Sequence, residues 1–276
     1  MYGQQLSDRA RGRFHATLSA NPANSLRSMN RRDFLAAAAA AAASSALPVR
    51  AATPRIKAIA FDGLALFDPR PIFALAESYF PQNGASFVAT WRERQTDYTL
   101  LRTLTHSYAD FLQVTEEALM FAADAEKLSI TLAQRQQLMN AFLHMSAWPD
   151  VPVVLKTLRQ QGFGLAPLTD FTVSMLEGAI HRSGLNGMFD YLLSTDLVRA
   201  YKPDSRAYQM ALDAFGLDRT QIAFAAFAGW DAAGAKSFGY PTIWINRLAA
   251  PTERLALFAD AVAPSLYAVP GFVGAG

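Results

Sequence analysis

Four places in this chain bring together the residue types that a nucleophilic displacement needs. Asp62 ends the apolar run at 56–61, and a second aspartate, Asp68, closes the short GLALFD stretch behind it. Thr169-Asp170 ends another apolar run, Lys202 follows a loop, and Asp231 stands just past a further run at 222–227. A carboxylate can attack an electrophilic centre, a lysine can hold that carboxylate ionised, and a hydroxyl can position an anionic group. Taken singly, each signal is weak. An aspartate after a strand is more often a helix cap, and Lys-Pro-Asp is more often a helix start. The weight lies in convergence: on a parallel sheet all four places fall at one edge, where open α/β folds build their sites.

The elements that must carry these residues alternate as such a sheet requires. The pattern predicts strands at 56–61, 163–168, 191–194, 222–227 and 242–245, the last of the sheet. It predicts helices at 153–161, 173–183, 205–215 and 232–238, ended in turn by Gly162, Gly184, Gly216 and Gly239. Between about 71 and 149 no comparable strand stands out. Amphipathic helices are predicted there at 87–104, 108–123 and 131–145. The fold expected is a Rossmann-like parallel α/β sheet flanked by helices, with a small helical cap inserted after the first strand. The domains divide as 52–70 with 150–262 for the core and 71–149 for the cap. The tail beyond 257 is weakly patterned, and 270–276 is expected to fray.

Composition narrows the class further. The 276 residues are 51% hydrophobic, enough for one α/β domain with an insert, and contain no cysteine, which excludes thiolate chemistry. The net charge of +2 misleads: residues 1–51 hold seven Arg against two Asp, so the remainder carries about −3. The basic balance belongs to the leader, and no nucleic-acid partner is expected. Within 1–51, Asn30-Arg31-Arg32-Asp33-Phe34-Leu35 reads as a twin-arginine motif. An alanine-rich apolar stretch at 35–47, too short to span a bilayer, follows it, and Val49-Arg50-Ala51 reads as a cleavage site. A folded periplasmic protein starting near Ala52, with no stable membrane anchor after cleavage, is the expectation. Met29 stands directly before the motif, so residues 1–28 read as an upstream extension.

The stretches at 60–68, 91–104, 108–119, 198–208 and 229–247 resemble the haloacid dehalogenase superfamily and, within it, the type II L-2-haloacid dehalogenases. Trp91-Arg92-Glu93-Arg94-Gln95 and Gly229-Trp230-Asp231-Ala232-Ala233-Gly234-Ala235-Lys236 point to that branch. The resemblance implies hydrolysis of (S)-2-haloacids to (R)-2-hydroxy acids through an aspartyl ester, without metal or organic cofactor. It implies a role for each matching residue. Asp62 is the nucleophile, Lys202 holds its carboxylate, and Arg92 attends the departing halide. Thr169 binds the substrate carboxylate with Asp170 beside it, Tyr208 is a site tyrosine, and Asp231 assists ester hydrolysis. Phe111 and Trp230 are candidates to face the substrate. A homodimer through cap and core helices is also implied.

The chain departs from that pattern in three places. Six steps separate Asp62 from Asp68 where the family has seven, and the family's Gly-Thr is replaced near Leu64-Ala65. The second motif reads Thr169-Asp170-Phe171 in place of Ser-Asn-Gly. Ala226-Phe227-Ala228 stand where the family has a serine and an asparagine. Losing one preorganised donor costs about 10²–10³ in rate. Weakened turnover is therefore expected. A non-catalytic periplasmic binding protein on the same fold is the alternative. A Mg²⁺-dependent phosphatase is disfavoured by Leu64, which stands where a second acid is required, although Asp62, Asp170 and Asp231 are candidate metal ligands.

Overall fold

The computed structural model describes residues 56–274. The N-terminal extension, the twin-arginine motif and the cleavage site lie outside the described residues.

The sheet is parallel throughout, with strand order β5-β4-β1-β6-β7-β8. Its strands are β1 (Ala58–Phe61), β4 (Gly164–Thr169), β5 (Leu193–Ser194), β6 (Ile222–Ala226), β7 (Thr242–Ile245) and β8 (Ala261–Ala263). β1 lies at the centre, Ala58 pairing with Gly164 on one side and Ile222 on the other. Every residue of β1, β6 and β7 is buried, which is why these strands read as continuous apolar runs rather than alternating ones. β5 is shorter than its apolar run predicts, and Pro167 supplies the reason. Proline has no N–H to donate, and pairing of β4 with β5 begins only after it, at Leu168. On that same edge the Leu165 N–H is taken by the Asp190 carboxylate at 2.8 Å instead.

After β1 come a short helix α1 (Gly63–Leu66), the two-residue strand β2 (Phe67–Asp68), and helices α2 (Arg70–Tyr79), α3 (Gly84–Leu104), α4 (Phe111–Ala125) and α5 (Leu132–Leu143). Strand β3 (Ser146–Ala147) returns antiparallel to β2 and closes the base of this helical insert. The insert has an aromatic centre. Trp91 is buried, edge-on to Phe73 and Phe142 with ring centroids 5.8 and 5.7 Å away, and its indole N–H donates to the Thr115 carbonyl at 2.9 Å. Asp110 and Thr131 cap α4 and α5.

The remaining helices are α6 (Val151–Gln160), α7 (Val173–Arg182), α8 (Ser205–Phe215), α9 (Gly229–Phe238) and α10 (Val269–Gly274). Asp204 caps α8, and Gly216 ends it at φ +62°, a conformation that costs glycine little.

Three expectations are corrected. The segment after Asp62 is a turn of helix rather than a plain tight loop. The sheet does not end at β7: β8 adds a parallel edge, Ala261 pairing with Ile243. The tail does not fray over 270–274. It is helical, Val269 and Val273 are buried, and the Leu266 N–H ahead of it donates to the buried carboxylate of Asp150 at 2.7 Å.

Candidate active site

Asp62 stands at the tip of β1. Its N–H continues the ladder to the Ala225 carbonyl at 2.9 Å, after which its carboxylate caps α1, Oδ1 accepting from the Leu64 N–H at 2.8 Å. Gly63 must be glycine for the site to close. A Cβ there would lie 2.3 Å from the Thr169 hydroxyl oxygen and 2.7 Å from the Phe171 ring. The bare backbone lets the tips of β1 and β4 approach.

Lys202, buried below the tips, links two acids. Its ammonium bonds to Asp62 Oδ2 and donates to Asp231 Oδ2 at 2.8 Å. Burial works against the Lys202 charge, but Asp231, Asp62 and Asp170 outweigh it and hold the ammonium well above the usual lysine range. Asp231, in the first turn of α9, is 1% exposed, and its other oxygen accepts from the Tyr208 hydroxyl at 2.7 Å. Burial pushes the Asp231 carboxyl up to about 6, against the opposing pull of Lys202. Asp170 is half-buried. Its Oδ1 accepts from the Thr195 hydroxyl and the Lys202 N–H, each at 3.2 Å. Desolvation raises this carboxyl to about 7, despite Lys202, because Asp231 and Asp62 add to the effect. Asp170 and Asp231 are thus both raised beside the one lysine.

A cavity of about 460 Å³ opens above these groups. Asp62, Thr169, Asp170, Trp230 and Asp231 line it from the sheet side, and Arg92 and Phe111 from the insert. Trp91 and Arg92 divide the work of adjacent helical positions, which point about 100° apart. Trp91 enters the insert's core, and Arg92 reaches the cavity with its guanidinium over the Phe73 ring at 5.0 Å. Phe111 packs on Phe171 with centroids 5.7 Å apart, joining the insert to the tip of β4. A larger groove of about 1110 Å³ shares Thr96 and Trp230 with the cavity but contains none of the three carboxylates.

Tyr208 stands behind Asp231. It is fully buried and lies outside the 460 Å³ cavity. It is a direct neighbour of the acid, and it also lines the 1110 Å³ groove. Gly234 makes room for it: a Cβ there would stand 2.5 Å from the Tyr208 hydroxyl. Among the described residues no three His, Asp or Glu side chains are grouped to hold a metal ion. The Lys202 ammonium takes the place between Asp62 and Asp231 that a cation would need.

Sequence reasoning missed a second layer beneath α1. The Trp148 indole N–H donates to the Leu64 carbonyl at 2.9 Å, and the Trp148 N–H to the Leu66 carbonyl at 3.0 Å. Arg247, just past β7, donates to the Ala65 carbonyl and to Asp150 Oδ1, both at 2.9 Å. Three successive carbonyls behind Asp62 are thus held in place. Burial lowers the Arg247 guanidinium from its usual range, with Asp150 opposing. Arg247 lay inside a quoted stretch, yet nothing in its spacing pointed to Ala65.

Together, the parallel sheet, the helical insert after its first strand and the carboxylate–lysine group at the strand tips define a Rossmann-like α/β fold with a site suited to nucleophilic displacement. The chain belongs to the haloacid dehalogenase-like hydrolase family, whose profile matches residues 33–239. Relatives of known name agree. The chain is 39% identical over 215 residues to the (S)-2-haloacid dehalogenase of Pseudomonas sp. (strain YL), covering 78% of this chain and 93% of that one. The crystal structure of the L-2-haloacid dehalogenase RSc1362 superposes with a TM-score of 0.77 at 38% identity, over 80% of this chain and 99% of the other. The L-2-haloacid dehalogenase of Xanthobacter autotrophicus superposes at 0.72 with 28% identity, over 79% and 98%.

Proposed function

We propose that this protein hydrolyses (S)-2-haloacids to (R)-2-hydroxy acids through an ester formed on Asp62. The observation that carries the reading is Asp62 itself. One oxygen is fixed by the Leu64 N–H and the other is tied to buried Lys202, at the wall of a cavity that Arg92 also lines. The names of the relatives support the same chemistry.

In this mechanism an Asp62 oxygen attacks C2 from the face opposite the halogen. The carbon–halogen bond breaks, its electron pair leaves with the halide, and the centre inverts. Arg92, always charged and weakly hydrated, receives the halide. A water then adds to the Asp62 carbonyl carbon while its proton passes to Asp231. The ester C–O bond breaks, the departing alkoxide takes that proton, and Asp62 returns to carboxylate as a proton goes to solvent. Lys202 holds the Asp62 carboxylate in place for the attack. Asp231 suits the proton transfer because burial has moved it toward neutral.

The rate is expected to be low. Ala226 and Ala228 offer no side-chain donor near the reacting carboxylate, and each absent donor costs on the order of 10² or more. The same two alanines favour a second reading, a protein that binds 2-substituted acids without turnover. Chloride release from each enantiomer of 2-chloropropionate, with and without Mg²⁺ and with Asp62→Asn as control, separates the two. Metal-independent chloride from the (S) acid, lost in the variant, supports hydrolysis; none from folded protein supports binding alone. Export along the twin-arginine route belongs to the same proposal, and cell fractionation tests it. So does a homodimer, which light scattering tests.

A further inference from the structure

Resting on that reading, we infer that the preferred substrates are 2-haloacids bearing a phenyl-sized apolar group, not three-carbon acids. The first argument is volume. A 2-chloropropionate has about six non-hydrogen atoms; even at a water molecule's share of about 30 Å³ each it fills roughly 180 Å³ of the 460 Å³ cavity. The space left over, roughly 280 Å³, holds several water molecules or one aromatic ring with its methylene.

The second argument is the chemistry of the walls. Polar groups line two sides: Asp62, Thr169, Asp170 and Asp231 at the strand tips, and Arg92, Glu93, Gln95, Thr96 and Thr99 on α3. The rest of the wall is largely apolar, and Phe73, Phe111, Phe171, Phe227 and Trp230 all contribute to it. Two of these rings, Phe171 and Phe227, directly follow strand-tip residues, so apolar surface begins beside the reacting carboxylate. Phe171 is also pinned against Phe111 across the junction of sheet and insert. A preformed aromatic surface beside convergent polar groups is what an amphipathic acid fits. Water against the aromatic side of that space would have few polar partners. A phenyl-sized substituent would displace it, and apolar pockets discriminate by tenfold or more even for one methylene.

Binding of the product acids tests this without requiring turnover. The purified full chain is titrated calorimetrically with (R)-lactate and with (R)-3-phenyllactate. Phenyllactate is expected to bind at least tenfold more tightly. Ala89→Trp, at an exposed position of α3 that lines the cavity, is expected to remove the advantage. Equal affinities, or tighter lactate, overturn the inference, as does an advantage that survives Ala89→Trp. Chloride release from 2-chloropropionate and 2-chloro-3-phenylpropionate runs in parallel. Turnover of the small acid with no gain for the larger one overturns the inference and leaves the dehalogenase reading standing. Tighter phenyllactate without chloride from either acid supports the ligand class and overturns turnover instead.

Discussion

The Tyr208 hydroxyl donates to Asp231 Oδ1 at 2.7 Å, filling the acceptor that Lys202 leaves open on the same carboxylate. With both oxygens engaged, Asp231 has one orientation. Its carboxyl is pushed up by burial and partly restrained by Lys202 and by Tyr208.

Tyr208→Phe removes one donor to the ionised form. The Asp231 carboxyl is therefore expected to rise further, moving the acidic limb of the pH–rate profile to higher pH. A buried acceptor left unpaired costs about 1–3 kcal/mol. The expected change is a fall in kcat of roughly tenfold or more with KM little altered, because Tyr208 lies outside the cavity. Steady-state kinetics across pH reads both; a rise in KM at constant kcat would instead make Tyr208 a substrate contact.

Arg247 holds the Ala65 carbonyl and Asp150 from a buried position, and so steadies the turn behind Asp62. Removing one partner of a buried pair costs about 3–5 kcal/mol. Arg247→Met is expected to lower stability by about that amount. Arg247→Lys keeps the charge but not the forked geometry. It is expected to retain more stability than Arg247→Met while losing kcat, since displacement is sensitive to small misplacement of the nucleophile. Urea melts alongside kinetics of both variants check this, and an Arg247→Lys protein with full kcat would contradict it.

Asp170 gives a pH dependence of known sign. Its carboxyl is raised to about 7 in the fold. The native state thus holds a proton that the unfolded chain releases at lower pH, so between the ordinary carboxyl range and about pH 7 stability falls as pH rises. The deficit is complete above about pH 7 and absent well below the ordinary range. Asp170→Asn abolishes the titration while keeping an acceptor for Thr195 and for the Lys202 N–H. The variant is expected to be more stable than the parent at pH 8, by an amount that shrinks toward pH 4. Thermal melts over that range measure it, and a gap that is constant with pH would refute the assignment.

Ala228 lines the cavity, in the stretch 226–228 where the sequence resemblance leads one to expect a serine and an asparagine. If the absent amide limits turnover, Ala228→Asn is expected to raise kcat by tenfold or more, toward the 10²–10³ span of one preorganised donor. Chloride release under saturating acid is the readout. An unchanged or lower rate would show that this position does not limit the reaction.

Much of the fold was legible because its signals are local. β1, β6 and β7 are short buried apolar runs, and Gly216 and Gly239 stop helices where left-handed backbone is needed. β8 was not legible, since three residues cannot display a period and Val262 is exposed at the edge of the sheet. Nor was the shortening of β5, which depends on Pro167 meeting a particular neighbour. The site divides the same way. Asp62, Lys202 and Asp231 were found because strand tips of a parallel sheet converge whatever the side chains do. The motif gave Tyr208 a position on a helix but not the direction of its hydroxyl. Trp148, Arg247 and Asp150 were missed for a related reason. Trp148 and Arg247 serve backbone carbonyls of α1, Asp150 accepts from Arg247 behind them, and no pattern of residue types records which carbonyl a distant side chain will reach.

The central claim is that Asp62 is alkylated and then hydrolysed, and a single turnover in oxygen-labelled water tests it most directly. Enzyme in excess over the (S) acid is quenched after one turnover, and both the hydroxy acid and the peptide holding Asp62 are weighed by mass spectrometry. Label is expected in the Asp62 carboxylate and absent from the product, whose new oxygen comes from Asp62. Label in the product with Asp62 unlabelled would mean that water attacks the substrate directly, and would contradict the role given to Asp62.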